Sequence, residues 1–285
     1  MEVTRFTVGF RSDAPVVQIR FGPGARHGVA EEVESLGAKR ALVLSTPEQR
    51  EAAETVAEAL GDRSAGVFAG AVMHTPVEVS DAAAAHAREV GADCTVAIGG
   101  GSTIGLGKAI TLRTDLPQIA IPTTYAGSEA TPVIGQSQDG KKTTQTAPKV
   151  QPVRIIYDPE LVATLPPAMT VTSGLNAIAH AAEALYARDR NPLATSLALS
   201  GIRLFVSSLP KVMDEPSNLQ ARADTLFGAW HCGAVLAQVG MALHHKLCHT
   251  LGGSFDLPHA PTHAIVLPHA VAYNEAAVPD QLAPL

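Results

Sequence analysis

Cysteine is scarce in this chain. Its three residues, Cys94, Cys232 and Cys248, are odd in number and show no C-x-x-C spacing, so reduced thiols in a cytosolic protein are expected rather than a disulfide framework. Cys248 lies among histidines and has two readings, a nucleophile or a small apolar helix residue; the second is the expected one. Basic charge is also in short supply: 21 Lys and Arg stand against 27 Asp and Glu, a net charge of −6. That balance argues against a general nucleic-acid or membrane-surface binder, which needs a basic face, while leaving room for a local basic patch. No run of about 18 apolar residues is found, so no transmembrane helix is expected. The N-terminal MEVTRFTVGF alternates like a strand and carries no signal-peptide core, and a cytoplasmic protein is expected. What remains is 285 residues, 46% of them hydrophobic, enough to bury the core of one large or two smaller domains.

The pattern changes near the middle. Residues 1–157 alternate short β-branched runs with Ala-rich stretches: RALVLS (40–45), SAGVFA (64–69), DCTVAIGGG (93–101) and QIAIPTT (118–124) read as strands, and 47–60 and 77–92 as helices. Strands separated by helices of this length imply βαβ units and a parallel sheet, which binds ligands at the carboxyl ends of its strands. From Asp158 onward the pattern is helical: a Pro-rich connector (157–170), long stretches at 170–188, 192–209 and 217–238, and a histidine-rich segment. The expected domains are thus 1–157, α/β and nucleotide-binding, and 158–285, all-α. The chain stops at AVPDQLAPL, just after another apolar helix pattern, so the C-terminal helices are expected to be incomplete.

Three motifs carry chemistry. Gly99-Gly100-Gly101-Ser102 follows the strand TVAI and precedes a helix expected to end near Lys108 and Ala109. Glycines let the backbone approach an anion, and a helix N-terminus offers free N–H groups, so a pyrophosphate would fit; the alternative is a simple tight turn. The motif is not the G-x-G-x-x-G fingerprint. Pro122–Glu129 (PTTYAGSE), also at a strand end, clusters hydroxyls that can meet a ribose or phosphate, or form an ordinary polar loop. Lys141 and Lys142, in the hairpin-like QSQDGKKTT, can neutralise a phosphate, or form a solvated turn. Lastly, Asn176 and His180 share one helix face, His245 and His249 share another, and His259 follows Pro258 at an expected helix start. Histidine is the commonest metal ligand and the usual proton carrier near neutral pH, so this constellation is a metal site or an acid/base site.

These strings, in this order over nearly the whole chain, resemble the iron-containing alcohol dehydrogenase family. GAVMHTPVEV (70–79), GGGSTIGLGKAI (99–110), PTTYAGSE (122–129), TSGLNAIAHAAEALYA (172–187) and HHKLCHTLGGSFDLPHAPTHAIVLPH (244–269) resemble its maleylacetate reductase branch more closely. The resemblance implies a dehydroquinate synthase-like two-domain architecture, an α/β nucleotide-binding domain plus a helical domain with the active site in the cleft. It also implies NADH or NADPH as cofactor, a homodimer, and reduction of the carbon–carbon double bond of the keto-diacid 2-maleylacetate. Carried over by position, Gly100, Gly101 and Ser102 would hold the pyrophosphate, and Thr123, Thr124, Ser128 and Lys142 would line the rest of the cofactor. His180, His245 and His259 fall on metal-ligand positions, and His249 on the histidine near the nicotinamide.

The departures sharpen the reading. The fourth ligand position, an aspartate in metal-dependent relatives, is Asn176, whose neutral amide adds no charge compensation. The expectation is that no metal is required; one that bound would use Asn176, His180, His245 and His259. Gly105 replaces an aspartate often found after the glycines, and the turn Leu44-Ser45-Thr46 offers no acid to a ribose, compatible with either nicotinamide. Catalysis is assigned to His180, His245, His249 and His259, with His245 and His249 supplying the proton and orienting the enone, and His180 and His259 binding substrate oxygens. His244, His263 and His269 receive no role. Two other readings stay open, a metal-dependent alcohol dehydrogenase of the same family and an inactive nucleotide-binding remnant.

Overall fold

The computed structural model describes residues 1–9, 15–139 and 141–285, with the side chain of Lys142 outside the description. The elements run β1 (Thr4–Val8), β2 (Val17–Phe21), α1 (Val29–Ser35), β3 (Ala41–Leu44), α2 (Arg50–Leu60), β4 (Ser64–Phe68), α3 (Val77–Glu89), β5 (Cys94–Gly99), α4 (Gly101–Thr114), β6 (Gln118–Pro122), β7 (Val133–Gln138), β8 (Lys141–Thr146), β9 (Arg154–Tyr157), α5 (Pro159–Ala163), α6 (Pro167–Leu185), α7 (Pro192–Asp214), α8 (Leu219–Leu236), α9 (Leu243–Phe255), α10 (His259–Glu275) and α11 (Pro279–Leu282). They divide into two compact units, residues 1–123 with 132–161 and residues 124–131 with 162–285. The expected boundary at 157/158 therefore differs in two respects: it falls after Leu161, and the stretch 124–131 groups with the helices.

The first unit is a seven-stranded sheet in the order β1-β2-β9-β6-β5-β3-β4, parallel except for the β1–β2 pair. Its central strands β3, β5 and β6 are buried along their whole length, as a sheet covered on both sides requires. Val43, Val96, Ile98, Ile119 and Ile121 pack with Val29 and Val33 of α1 and Ala53, Val56 and Leu60 of α2. Leu42, Leu44, Ala97 and Ala120 face the other way, against Ala83, Ala84 and Ala87 of α3 and Ile104, Leu106 and Ile110 of α4. β4 lies on one side of β3 and β5 on the other, so strand order reverses there and the carboxyl ends of β3 and β5 flank a switch point. Val133–Gln138 and Lys141–Thr146 form the antiparallel pair β7–β8, with Ser137 opposite Lys142. Two elements depart from the sequence reading. α4 runs on past Ala109 to Thr114, closed by Asp115 at φ 61°, and the connector after Tyr157 contains the short α5.

In the second unit α6 packs against α7, α8 and α10. Its Ala177, Ala179, Ala181, Ala182 and Ala184 are buried, and small side chains there let neighbouring helices approach closely. The expectation that no helix is apolar enough to span a membrane meets α7, which passes by length and composition; it packs against α6 and α8. Buried Arg222 of α8 donates to Thr170 Oγ1 (3.1 Å) and to the carbonyls of Ala163 (3.3 Å) and Pro216 (3.1 Å), joining α8 to the start of α6.

The 124–131 segment reaches the helices through glycine. Gly127 has φ +75°, and a Cβ on Gly233 of α8 would stand 2.7 Å from the Gly127 carbonyl oxygen. Gly233→Ala is therefore expected to lower stability by about 1–3 kcal/mol through overpacking. Gly253→Ala in α9, where a Cβ meets nothing within 4 Å, is expected to be neutral or stabilising. Urea unfolding midpoints of the two variants check the contrast, and equal midpoints would contradict the close approach.

Candidate functional site

β5 ends at Gly99, whose φ of +155° and surroundings admit only glycine: an added Cβ would lie 2.3 Å from Thr103 Oγ1 and 2.9 Å from Gln49 Oε1. Gly100 caps α4 in extended conformation with no side-chain cap hydrogen bond, so the N–H groups of the first turn are left to a ligand or solvent. The Thr123 amide donates to the Gly99 carbonyl (3.0 Å), and Gln49 Nε2 donates to Thr123 Oγ1 (2.9 Å). Gly100, Gly101, Ser102 and Thr123 are thus brought together at the carboxyl ends of β5 and β6, beside the switch point. Gln49 is a member that the sequence reading missed, because nothing in PEQREAAE marks one polar residue as turned inward.

Gly105 also gains a reason. A Cβ there would stand 2.6 Å from Thr75 Oγ1, and Thr75 is itself held at φ 48°. An aspartate at this position would collide with that buried threonine. Thr124 and Ser128 belong to the other unit, where the Tyr125 amide donates to Ser173 Oγ (3.0 Å) of α6. Lys142 lies in β8, and its side chain is outside the described residues.

The second unit gathers six histidines from three helices. Asn176 and His180 are buried on α6; His244 and His245 are buried and His249 exposed on α9; His259 is exposed at the first residue of α10 and His263 buried one turn on. The His180 and His245 rings stack at 4.8 Å, His245 and His263 stand at 4.9 Å, His245 and His249 at 6.0 Å, and His249 and His259 at 6.1 Å. The four histidines assigned from sequence therefore join one constellation. So do two that were given no role: His244 Nε2 and His263 Nδ1 share a 3.0 Å hydrogen bond at its buried side.

The residue most thoroughly missed is Glu183. It follows His180 by three positions and Asn176 by seven, on the same face of α6, and it is fully buried. Its carboxylate accepts from the amides of Ala242 (2.8 Å) and His244 (2.6 Å) at the start of α9 and from His245 Nδ1 (2.7 Å). A favourable helix end and three N–H donors stabilise the charge.

Burial, followed by the neighbouring histidines, holds His180, His245 and His263 well below the ordinary imidazole value; burial lowers His244 as well, against the pull of Glu183. The buried rings are therefore neutral near pH 7. Burial and then the Glu183 charge push the Cys248 thiol up to about 11, which disfavours the thiolate near neutral pH.

Asn176 Oδ1, His180 Nδ1, His245 Nε2 and His263 Nε2 are buried without a hydrogen-bond partner in the protein. Such atoms point to a bound group. The donor set, though, is imidazole and amide, with no anion facing the unpaired atoms, because Glu183 is turned to the outer side of His245. It does not match the mixed carboxylate and imidazole ligation that divalent iron favours. The ligand atoms of His244, His245 and His263 do lie within 4.8 Å of one another.

The model of iron-containing alcohol dehydrogenase matches residues 16–159, and that of the Fe-containing alcohol dehydrogenase family, C-terminal, matches residues 170–285. A maleylacetate reductase of Rhizobium sp. (strain MTP-10005) is 61% identical over 268 residues, 94% of this chain and 76% of that protein. One from Sphingobium indicum is 55% identical over 93% of this chain and 75% of its own length. The crystal structure of maleylacetate reductase from Agrobacterium tumefaciens superposes with a TM-score of 0.93 at 57% identity, covering 99% of this chain and 80% of that one. The chain belongs to the iron-containing alcohol dehydrogenase family, in its maleylacetate reductase branch.

Proposed function

We propose that the chain is a cytoplasmic, homodimeric NAD(P)H-dependent reductase of the carbon–carbon double bond of 2-maleylacetate, giving 3-oxoadipate, without a resident metal. The observation that carries the proposal is the neutral histidine constellation with Asn176 in place of a carboxylate, in a chain 61% identical to a maleylacetate reductase. The glycine turn at Gly100–Ser102, with Thr123, Thr124, Ser128 and Lys142, is assigned to the nicotinamide dinucleotide.

The chemistry suits such a site. A reduced nicotinamide, held by the residues just named, would supply hydride to the alkene carbon β to the ketone, with the displaced electron pair collecting on the ketone oxygen as an enolate. Hydrogen-bond donors stabilise that oxygen, and an acid delivers a proton to the α carbon. The exposed His249 and His259 can exchange protons with water, so proton delivery is assigned to His249 and recognition of a substrate carboxylate to His259. The buried His180 is assigned to orienting the keto group, and the buried His245 to holding the bound molecules in place beside it. A second reading, with a metal aiding polarisation, draws on the close spacing of His244, His245 and His263.

Following NADH and NADPH oxidation with fresh maleylacetate, with and without chelator, tests both readings. Chelator-insensitive turnover is expected, with His249→Ala reduced about 100-fold or more in kcat, the scale of one general acid. Loss of activity with chelator and recovery with iron or zinc would favour the second reading; no turnover with either nucleotide would sink the proposal.

Acid stability checks the neutral state of the rings. His180, His231, His244, His245 and His263 all have lowered folded-state values, burial being the first cause in each. Unfolding raises them to about 6.5, so the unfolded chain binds more protons below that pH. Stability from their neutrality is present above pH ~6.5 and lost as pH falls below it. In chelator-treated protein, the free energy of urea unfolding is expected to drop between pH 6.5 and 5 by more than about 1.4 kcal/mol per pH unit, the slope of a single differential proton. A flat profile would contradict it.

A further inference from the structure

We propose that Glu183 is a positioning residue that holds His245 in its Nδ1–H tautomer, so that Nε2 meets the bound molecules as a hydrogen-bond acceptor only. The inference deepens the reading above and rests on it for the presence of substrate near His245; the tautomer itself does not depend on what the substrate is.

The argument is one of proton inventory. An ionised carboxylate has no proton to donate, so the 2.7 Å contact between Glu183 Oε2 and His245 Nδ1 needs the hydrogen on Nδ1. A neutral imidazole carries one N–H, which leaves a lone pair on Nε2. That atom is buried and makes no hydrogen bond within the protein. Glu183 is itself fixed from both sides. Its Cα belongs to α6, while its oxygens accept the Ala242 and His244 amides at the start of α9, the helix that carries His245. Tyr186, one turn further along α6, also lies 3.4 Å from Glu183 Oε1 through its hydroxyl. The carboxylate thus locks the ring's tautomer and its orientation through the same backbone, the usual work of an outer carboxylate on a functional histidine.

The consequence concerns which groups can meet His245. A lone pair repels a carboxylate and attracts an N–H or O–H donor: an enol hydroxyl, a water molecule or the carboxamide of a nicotinamide. The two carboxylates of a keto-diacid are then left to other groups, and the resting His245 is not the proton source, in contrast to its pairing with His249 in the sequence reading.

The test uses the full chain, purified with chelator and labelled with 15N in histidine. Long-range 1H–15N correlation spectra report the tautomer of each ring, with the His245 signals identified by their loss in His245→Asn. Wild type is expected to show a protonated Nδ1 and a bare Nε2 at His245, without any ligand. Glu183→Gln is expected to mix the two His245 tautomers and to lower kcat by about 10–100-fold, with KM for the nicotinamide unchanged and partial recovery in Glu183→Asp. Nε2–H or freely mixed tautomers at His245 in wild type would overturn the proposal, and that spectrum decides even where Glu183→Gln fails to fold. A folded Glu183→Gln protein with wild-type tautomer and kcat would overturn it too. Absent turnover of maleylacetate in wild type with the Nδ1–H tautomer present would overturn the substrate reading alone.

Discussion

A single buried acid organises the helical unit. Glu183 is buried in the last turn of the Ala-rich α6, where a charge without partners would be strongly destabilising, by several kcal/mol after relaxation. It is tolerated because the start of α9 turns two amides and an imidazole N–H onto it. Each of those donors belongs to the segment that brings in His244, His245 and His249. The acid thereby sets where α9 begins, which way its first turn faces and which nitrogen of His245 carries a proton. The His244–His263 hydrogen bond then extends the constraint to α10. Packing of small residues allows these helices to approach, but the polar contacts define their register around the histidines.

The α/β unit is governed by a different constraint, the space available to main chain at the switch point. Gly99 is backed by Thr103 and Gln49, and Gly105 by Thr75, so side chains are excluded on both sides of the turn. The Thr123 amide is drawn to the Gly99 carbonyl, and Gln49 is drawn to Thr123, which ties the ends of β5 and β6 to the start of the segment after β3. An exposed row of N–H groups at the start of α4, flanked by hydroxyls, follows from that steric exclusion. Phosphate affinity in such a place comes from backbone dipoles and needs no cationic side chain.

The sequence was most informative where local period and composition decide structure. Val43 and Leu42 sit on opposite faces of β3, and the continuous apolar run ALVL announces a strand covered on both sides. Pro258 before His259 announces the start of α10, which begins at that histidine. What escaped depends on long-range pairing. Arg154–Tyr157 (RIIY) is only four residues long and has no period of its own, yet it fills the place between β2 and β6. The 124–131 stretch reads as a polar loop trailing a strand, and long-range contacts, Gly127 against Gly233 and the Tyr125 amide on Ser173, assign it to the helices. Glu183 looks like one more solvated charge on an Ala-rich helix, because burial of an acid is decided by partners sixty residues away. The pairing of His244 with His263 escapes for the same reason, because their bond joins two helices across nineteen positions.

Asn176 and Glu183 are best understood together. All of the buried rings around them are neutral near pH 7, and the buried Glu183 carboxylate is already met by three N–H groups. A second carboxylate at position 176 would face those neutral rings with nothing to balance it unless a cation were bound, and a buried carboxylate without a partner costs about 3–5 kcal/mol. An asparagine there removes that dependence while keeping the carbonyl oxygen in place. The buried site is left with unpaired acceptors on Asn176 and His245, suited to a ligand that brings its own hydrogen-bond donors.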